Sequence, residues 1–472
     1  MIVVPGIMGS ELVDSRTRRT LWGFRDLRWY VRAWTTGGGL TALRLTDEER
    51  AGVYGRVEAT SSLRFPAFAR VLAGLEPYTR LFDTVRAAVQ PGVPVVDFAY
   101  DWRLPVAHNA GLLAERVHHE LRRWHAHPAH DVARRVHPDG RPARVVIVAH
   151  SMGGLLARYL STIPGATDDI RAVVTLGTPF YGSVKAAVLL NAGRGAPFPS
   201  HRPWSQALRP AADEGLRRLA ASLPGVHDLL PTYRCVNDGR RGQRLDHDTA
   251  VALGADPDHA RASAELHRRL ADAPIPGHRP LVGTHQPTPQ SFALREDTVS
   301  TEDGLWVDRA EGGVRWSNEA GDGTVYRGAA SLDGTVHTYL PQQHGPLAKS
   351  SETRAFVHGV ITELDLDRLG PPQAALELGL AVPDLACPGD AFTGLVTGVT
   401  GRRDATCHVI DAANGQLVSA PLIDVDADGA RVAVRLPQPG LFRVEVAGGG
   451  YSPVSQHVLA VDPGLADDGA DE

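Results

Sequence analysis

The feature that most restricts the fold is a break in pattern at residues 149–154. Val145-Val146-Ile147-Val148 is an unbroken β-branched run, which predicts a strand buried on both faces. It stops at Ala149-His150-Ser151-Met152-Gly153-Gly154 and gives way to Leu155, Leu156, Tyr159 and Leu160 at helical spacing. A strand that bends straight into a helix can hold a Ser hydroxyl above a sheet. The bend is so sharp that the residues two before and two after the Ser must be small. Ala149 and Gly153 meet that need, with Ala in place of the first Gly of the usual Gly-x-Ser-x-Gly.

The flanking pattern extends this unit. Ile2-Val3-Val4 reads as a core strand ending in Pro5-Gly6, and residues 75–90 carry apolar positions at helical spacing. A buried strand is predicted at 93–99, an amphipathic helix at 106–124, and a further strand at 172–176 that ends in Gly177-Thr178-Pro179. Strands alternating with helices predict an α/β fold with a mostly parallel, doubly wound sheet. Two stretches, about 20–75 and 184–278, read as cap insertions, the second with helical pieces but no strong strand. At 472 residues the chain exceeds a single core. After residue 370 short alternating strands follow, separated by Asn414-Gly415, Asp428-Gly429 and Pro439-Gly440. We therefore expect a hydrolase-type domain over 1–370, a small all-β, sandwich-like domain over 372–463, and a disordered acidic tail over 464–472.

Composition narrows the partners. A net charge of −5 gives no electrostatic case for nucleic-acid binding. Cys235, Cys387 and Cys407 are too few for a disulfide framework. No basic-then-apolar leader opens the chain, and no apolar run reaches the ~20 residues of a bilayer span, so a cytoplasmic location is expected. His125, His127 and His130 cluster, but on no element that would fix a ligand geometry, so neither a metal nor any other cofactor is expected.

A Ser hydroxyl needs a base, and the base needs an acid to orient it, in the chain order Ser, Asp/Glu, His. Asp322 in Gly321-Asp322-Gly323-Thr324-Val325 and His344 in Gln343-His344-Gly345 fit that order. So do Asp333, in a second Asp-Gly-Thr-Val, and the nearby His337. A developing oxyanion also needs donors, each worth ~3–4 kcal/mol. One is the backbone N–H of Met152, after the nucleophile; the other is assigned to Ile7, in the turn after the first strand.

These motifs together resemble the lecithin:cholesterol acyltransferase family, which includes lysosomal phospholipase A2 and phospholipid:diacylglycerol acyltransferases. The matching pieces are Val4-Pro5-Gly6-Ile7-Met8-Gly9-Ser10, Tyr100-Asp101-Trp102-Arg103, Ala149-His150-Ser151-Met152-Gly153, Leu176-Gly177-Thr178-Pro179, Leu229-Leu230-Pro231, Gly321-Asp322-Gly323-Thr324-Val325 and His344-Gly345. The resemblance implies an α/β-hydrolase core with a Ser151–His344–Asp322 triad. It further implies an acyl hydrolase or O-acyltransferase of (phospho)lipid esters that touches membrane surfaces peripherally. It also assigns the aromatic segment with Trp22, Trp29 and Trp34 to a lid; without it, such a cluster reads equally as core. Two features depart from the family: the leader and lid disulfides of its secreted members are missing, and the β-rich end has no counterpart. That end suggests a protein partner, and leaves open a non-catalytic lipid-binding or sensing protein on a hydrolase scaffold.

Overall fold

β-Branched runs with no polar face need cover on both sides, and the central sheet gives it to them. Its strands are β1 Ile2–Val4, β2 Val96–Asp97, β3 Val145–His150, β4 Ile170–Leu176, β5 His278–Gly283 and β6 Thr338–Leu340. Their spatial order is β6-β5-β4-β3-β1-β2, and every pairing is parallel. The computed structural model describes residues 1–23, 40–69, 73–75, 77–136, 142–191, 214–295, 298–309, 312–363, 377–427, 429–448 and 452–461. Trp29, Trp34, part of the 184–278 insertion, the expected boundary at 370–372 and the tail from 464 lie outside the described residues.

The period of two along each strand divides the core. Val145, Ile147 and Ala149 face α2 Val106–His125 and α3 Met152–Tyr159, packing with Leu113, Val117, Leu155 and Leu156. Val146, Val148 and Val174 face the other way, onto Leu81, Phe82 and Val85 of α1 Thr79–Ala88 and Val357 of α4 Ser351–Thr362. α4 starts where the Ser350 side chain accepts from Thr353 N–H, satisfying an otherwise unpaired donor. The strand expected over 93–99 is only the two-residue β2. It is the sheet edge, where the Asp97 carboxylate accepts from Ser62 N–H at 2.9 Å and Ser62 Oγ at 2.6 Å.

β1 pairs with β2 on one side and β3 on the other, so the strand order reverses at β1. In open parallel sheets ligands bind beyond the carboxyl ends of strands at such a reversal. Pro5-Gly6 follows β1 there, and Ser151 follows β3. This is an α/β-hydrolase sheet.

Antiparallel pairing occurs beside this sheet: Ser10–Asp14 pairs with Thr20–Trp22 and Val57–Ser62, and Ala67–Ala69 with Ala73–Leu75, so the 20–75 stretch carries strands. Ser291–Arg295 with Thr298–Glu302, then Leu305–Asp308 with Val314–Ser317, form hairpins between β5 and β6. The sequence reading contained neither. Beyond residue 377 lie β7 Gly379–Ala381, β8 Leu385–Ala386, β9 Ala391–Thr397, β10 Ala405–Asp411, β11 Leu417–Ser419, β12 Ile423–Asp426, β13 Gly429–Arg435, β14 Gly440–Gly448 and β15 Val454–Ala460. They make two sheets, β7-β9-β13-β12 and β8-β15-β14-β10-β11, around a core that includes Val432, Val434, Phe442, Val444 and Val446.

Candidate active site

Ser151 sits on the bend between β3 and α3 with φ 52° and ψ −126°, a conformation that costs a non-glycine residue ~1–3 kcal/mol. Close packing holds it there. A Cβ on Gly153 would lie 2.6 Å from the Pro5 carbonyl oxygen, and one on Gly154 would lie 2.0 Å from Thr178 Oγ1. Ser151 N–H donates to the Leu176 carbonyl at 2.9 Å, tying the bend to the end of β4. The small residues around Ser151 are thus the condition for this turn to nest between β1 and β4.

His344 follows β6 and reaches Ser151 across the top of the sheet. Its Nε2 is 2.9 Å from Ser151 Oγ, and its Nδ1 is 2.7 Å from Asp322 Oδ2. A carboxylate only accepts, so Nδ1 carries the proton and the Nε2 lone pair faces the hydroxyl. The other Asp322 oxygen accepts from Thr324 N–H at 3.0 Å and Val325 N–H at 2.7 Å. His344 N–H donates to the Asp322 carbonyl at 2.8 Å, joining the two loops again through their backbones. Asp322 is 1% exposed and Ser151 5% exposed. Charge on the imidazole would therefore be met by the carboxylate with little screening by water.

Several site-building residues were not visible in the sequence. The Thr288 hydroxyl accepts from Gly321 N–H at 3.1 Å and Gly323 N–H at 2.8 Å, on either side of Asp322. Gln286 N–H donates to the Gly321 carbonyl at 2.9 Å. Tyr78, read only as an apolar helix position, bonds to His150 instead. His150 Nε2 lies 3.0 Å from the His344 carbonyl, which only accepts, so that nitrogen donates. Its Nδ1 therefore accepts from Tyr78 OH at 2.8 Å, and the phenol oxygen accepts from Gly6 N–H at 2.9 Å. Burial, with the neighbouring His344 as the second cause, pushes His150 down to about 3, so it is neutral. Burial likewise pushes the Tyr78 phenol up. One chain of hydrogen bonds thus runs from the Gly6 turn to the backbone of His344.

The turn after β1 is itself pinned. Tyr100 OH donates to the Pro5 carbonyl at 3.1 Å, and the Trp102 indole to the Ser10 carbonyl at 3.2 Å. Arg103, fully buried, bonds Asp101 Oδ2 at 2.6 Å and Glu49 Oε1 at 2.8 Å. Tyr100-Asp101-Trp102-Arg103 is therefore a brace under the turn. Trp22 corrects the lid assignment: it is 0% exposed, donates to the Met8 carbonyl at 2.8 Å, and packs edge-on against Trp102 at 5.8 Å. An indole so enclosed has no face to offer a lipid.

A narrow, partly open cleft leads to Ser151 and His344. Its walls include Ile7, Pro179, Ala186, Leu189, Leu229 and Val325. Lys185 also lines it, with its ammonium pushed down by burial while Asp384 and Asp322 pull it up. Met152 is the first residue of α3, where a backbone N–H has no partner within the helix. Ile7 lines the cleft opposite, because Gly6 packs on the Ser151 side chain. The alternative pair lies apart from the cleft: His337 Nε2 accepts from Leu332 N–H at 3.0 Å and its ring stacks on Tyr339. His127 stacks on Trp124, and among the described residues no His, Cys, Asp and Glu group is arranged to hold a metal.

Residues 132–190 match a family model described as a PGAP1-like alpha/beta domain. That span holds β3, the Ser151 bend, α3 and β4. No curated protein matches the chain. A Bacillus licheniformis lipase, BlEst2, solved in its propeptide form, aligns over 97% of this chain and 92% of its own at 10% identity, with a TM-score of 0.26. A superposition that loose bears no weight, and the strand order stands without it. Over its elbow segment the chain is similar to a PGAP1-like alpha/beta domain, set in an α/β-hydrolase sheet.

Proposed function

We propose that this chain is a serine acyl hydrolase or O-acyltransferase that acts on lipid acyl esters through Ser151, His344 and Asp322. One observation carries the reading: Ser151 Oγ, His344 and Asp322 are joined at 2.9 and 2.7 Å where an apolar-walled cleft opens. His344 Nε2 takes the hydroxyl proton as Ser151 Oγ bonds to the ester carbonyl carbon. The carbonyl electrons move to oxygen, where Ile7 and Met152 N–H donate to the charge. Collapse expels the alcohol, which takes its proton from His344, and leaves an acyl-Ser151. Water or a second alcohol then attacks that ester by the same route in reverse, so hydrolysis and transfer use identical groups.

The apolar wall suits an acyl chain, and Lys185 suits an anionic group on the substrate. The motif resemblance to the lecithin:cholesterol acyltransferase and lysosomal phospholipase A2 family belongs to the same reading. So do peripheral membrane contact and the division into domains at 1–370 and 372–463. A fluorophosphonate probe tests the nucleophile: Ser151 is expected to be labelled in the wild type, and Ser151→Ala to take no label while staying folded. A panel of phospholipids with and without an alcohol acceptor then separates free fatty acid from acylated alcohol. Absence of label on wild-type Ser151 sinks the reading and favours a binding protein on this scaffold.

A further inference from the structure

The loops that carry Asp322 and His344 do not stand alone; side-chain amides bond them to the C-terminal sheets. Gln286 Nε2 donates to the Leu378 carbonyl at 2.8 Å, and its Oε1 accepts from Leu380 N–H at 3.2 Å, in β7. Gln343 Nε2 donates to the Leu380 carbonyl at 2.6 Å and to Gln286 Oε1 at 3.2 Å. Gln342 Nε2 donates to the Pro453 carbonyl at 3.1 Å, while its Oε1 accepts from Gln343 N–H at 2.9 Å. The three glutamines are 0%, 1% and 8% exposed, in chain order.

Their positions in the chain are what matter. Gln343 immediately precedes His344, and Gln286 bonds the backbone next to Asp322. A Cβ on Gly323 would lie 2.3 Å from Gln343 Oε1, so the acid loop rests on the same amide. A Cβ on Gly379 would lie 2.5 Å from the His285 carbonyl, so the β7 backbone lies directly on the loop that carries Gln286. A buried amide left unpaired costs about 1–3 kcal/mol. Here Leu378 and β7 supply the shorter bond of each amide: within the loops Gln286 Nε2 reaches the Thr284 carbonyl at 3.3 Å and Gln343 Nε2 reaches Gln286 Oε1 at 3.2 Å. A mere spacer would need no such bonds to the residue before the imidazole.

We propose that the C-terminal β region is a working part of the acid–base apparatus, with Gln343 and Gln286 as positioning residues that couple β7 to His344 and Asp322. The inference rests on the serine-hydrolase reading above. A displacement near 1 Å in such a group lowers turnover about 100-fold, so loss of one amide contact reaches catalysis without touching substrate.

The test uses the full chain with Gln343→Met and Gln286→Met, which keep side-chain volume and remove the bonds. Ser452→Ala is the control: Ser452 Oγ bonds Ser351 in α4, in the same interface, and the substitution leaves the Gln342 bond to the Pro453 carbonyl intact. Four quantities are read: the fluorophosphonate labelling rate, kcat and KM on a soluble aryl ester, the acid limb of the pH–rate profile, and Tm. Gln343→Met is expected to lower kcat and labelling about 10-fold or more with KM nearly unchanged. It should also change the pH–rate profile, because the 2.7 Å bond between His344 and Asp322 is no longer held in place. Ser452→Ala should leave all kinetic readouts unchanged. If the wild type labels at Ser151 and folded Gln343→Met labels at the same rate with the same pH profile, this inference fails alone. If the wild type takes no label, the hydrolase reading falls first and takes this one with it. Should Gln343→Met not fold, Gln286→Met decides by the same readouts.

Discussion

The two halves of the candidate site are held by different physics. On the nucleophile side, Val145 to Tyr159 is one contiguous strand–turn–helix, and Ser151 is fixed by what cannot fit beside it. The contacts that matter are close approaches of glycine backbone, Gly153 to the Pro5 carbonyl and Gly154 to the Thr178 side chain. On the acid–base side, Asp322 and His344 come from separate loops held by directional bonds: the Thr288 hydroxyl, the Gln286 and Gln343 amides, and the strand β7 behind them. Steric exclusion leaves a signature of small residues at fixed spacing. Polar positioning leaves glutamines and threonines that look like any surface loop.

The largest test of this contrast is Asp322→Asn. An amide can donate to Nδ1 and favour the wrong tautomer, so kcat is expected to fall about 10⁴-fold with the fold kept. Steady-state kinetics with circular dichroism would show it, and a fall under tenfold would mean the acid–base half is misassigned. Next is Arg103→Ala, which leaves Asp101 without its guanidinium partner and Glu49 with Arg56 alone. Removing one member of a buried ion network costs about 3–5 kcal/mol, to be read from the urea midpoint. Should stability hold, the brace under the Pro5-Gly6 turn is dispensable.

On the nucleophile side, Gly154→Ala forces a methyl against Thr178. Overpacking of this kind costs about 1–3 kcal/mol, and the displaced bend should slow labelling of Ser151 as well. A neutral result in both would show that the turn is held by something other than close packing. The smallest effect is a pH dependence. His150 sits at about 3 in the folded chain against an ordinary value of 6.5, so the unfolded chain binds the extra proton first. Its contribution to stability is complete above pH 6.5 and is lost as pH falls towards 3. Between pH 6.5 and 5.5 that amounts to about 1 kcal/mol, and His150→Gln should flatten this part of the curve relative to wild type. His227, His267 and His278, each pushed down to about 4 by burial, add slopes of the same sign that the variant keeps.

Legibility followed the same division. β3, α2 and the elbow were readable because apolar periodicity and residue size are local properties. The edge strand was overextended, since Val93 to Ala99 is apolar enough for a core strand and nothing nearby announces the Ser62–Asp97 bonds that end it. The hairpins over 291–317 went unseen, for Thr298–Glu302 is polar at most positions and gains its order from pairing with Ser291–Arg295. Trp22 was nameable but not placeable. Whether an indole lies in a lid or a core depends on Met8 and Trp102, each distant in sequence.

By itself, the sequence determined the parallel sheet, the sharp bend at Ser151 and the short list of acids and bases that could serve it. Each follows from the covalent chain and the size and polarity of nearby side chains. Only the tertiary structure decided that Asp322 rather than Asp333 faces His344, that His150 is a neutral link to Tyr78, and that the C-terminal sheets grip the acid and base loops. Those outcomes depend on hydrogen bonds 2.6 to 3.2 Å long between residues tens of positions apart. No local pattern encodes them, because a hydrogen bond's worth depends on the water that the rest of the fold removes.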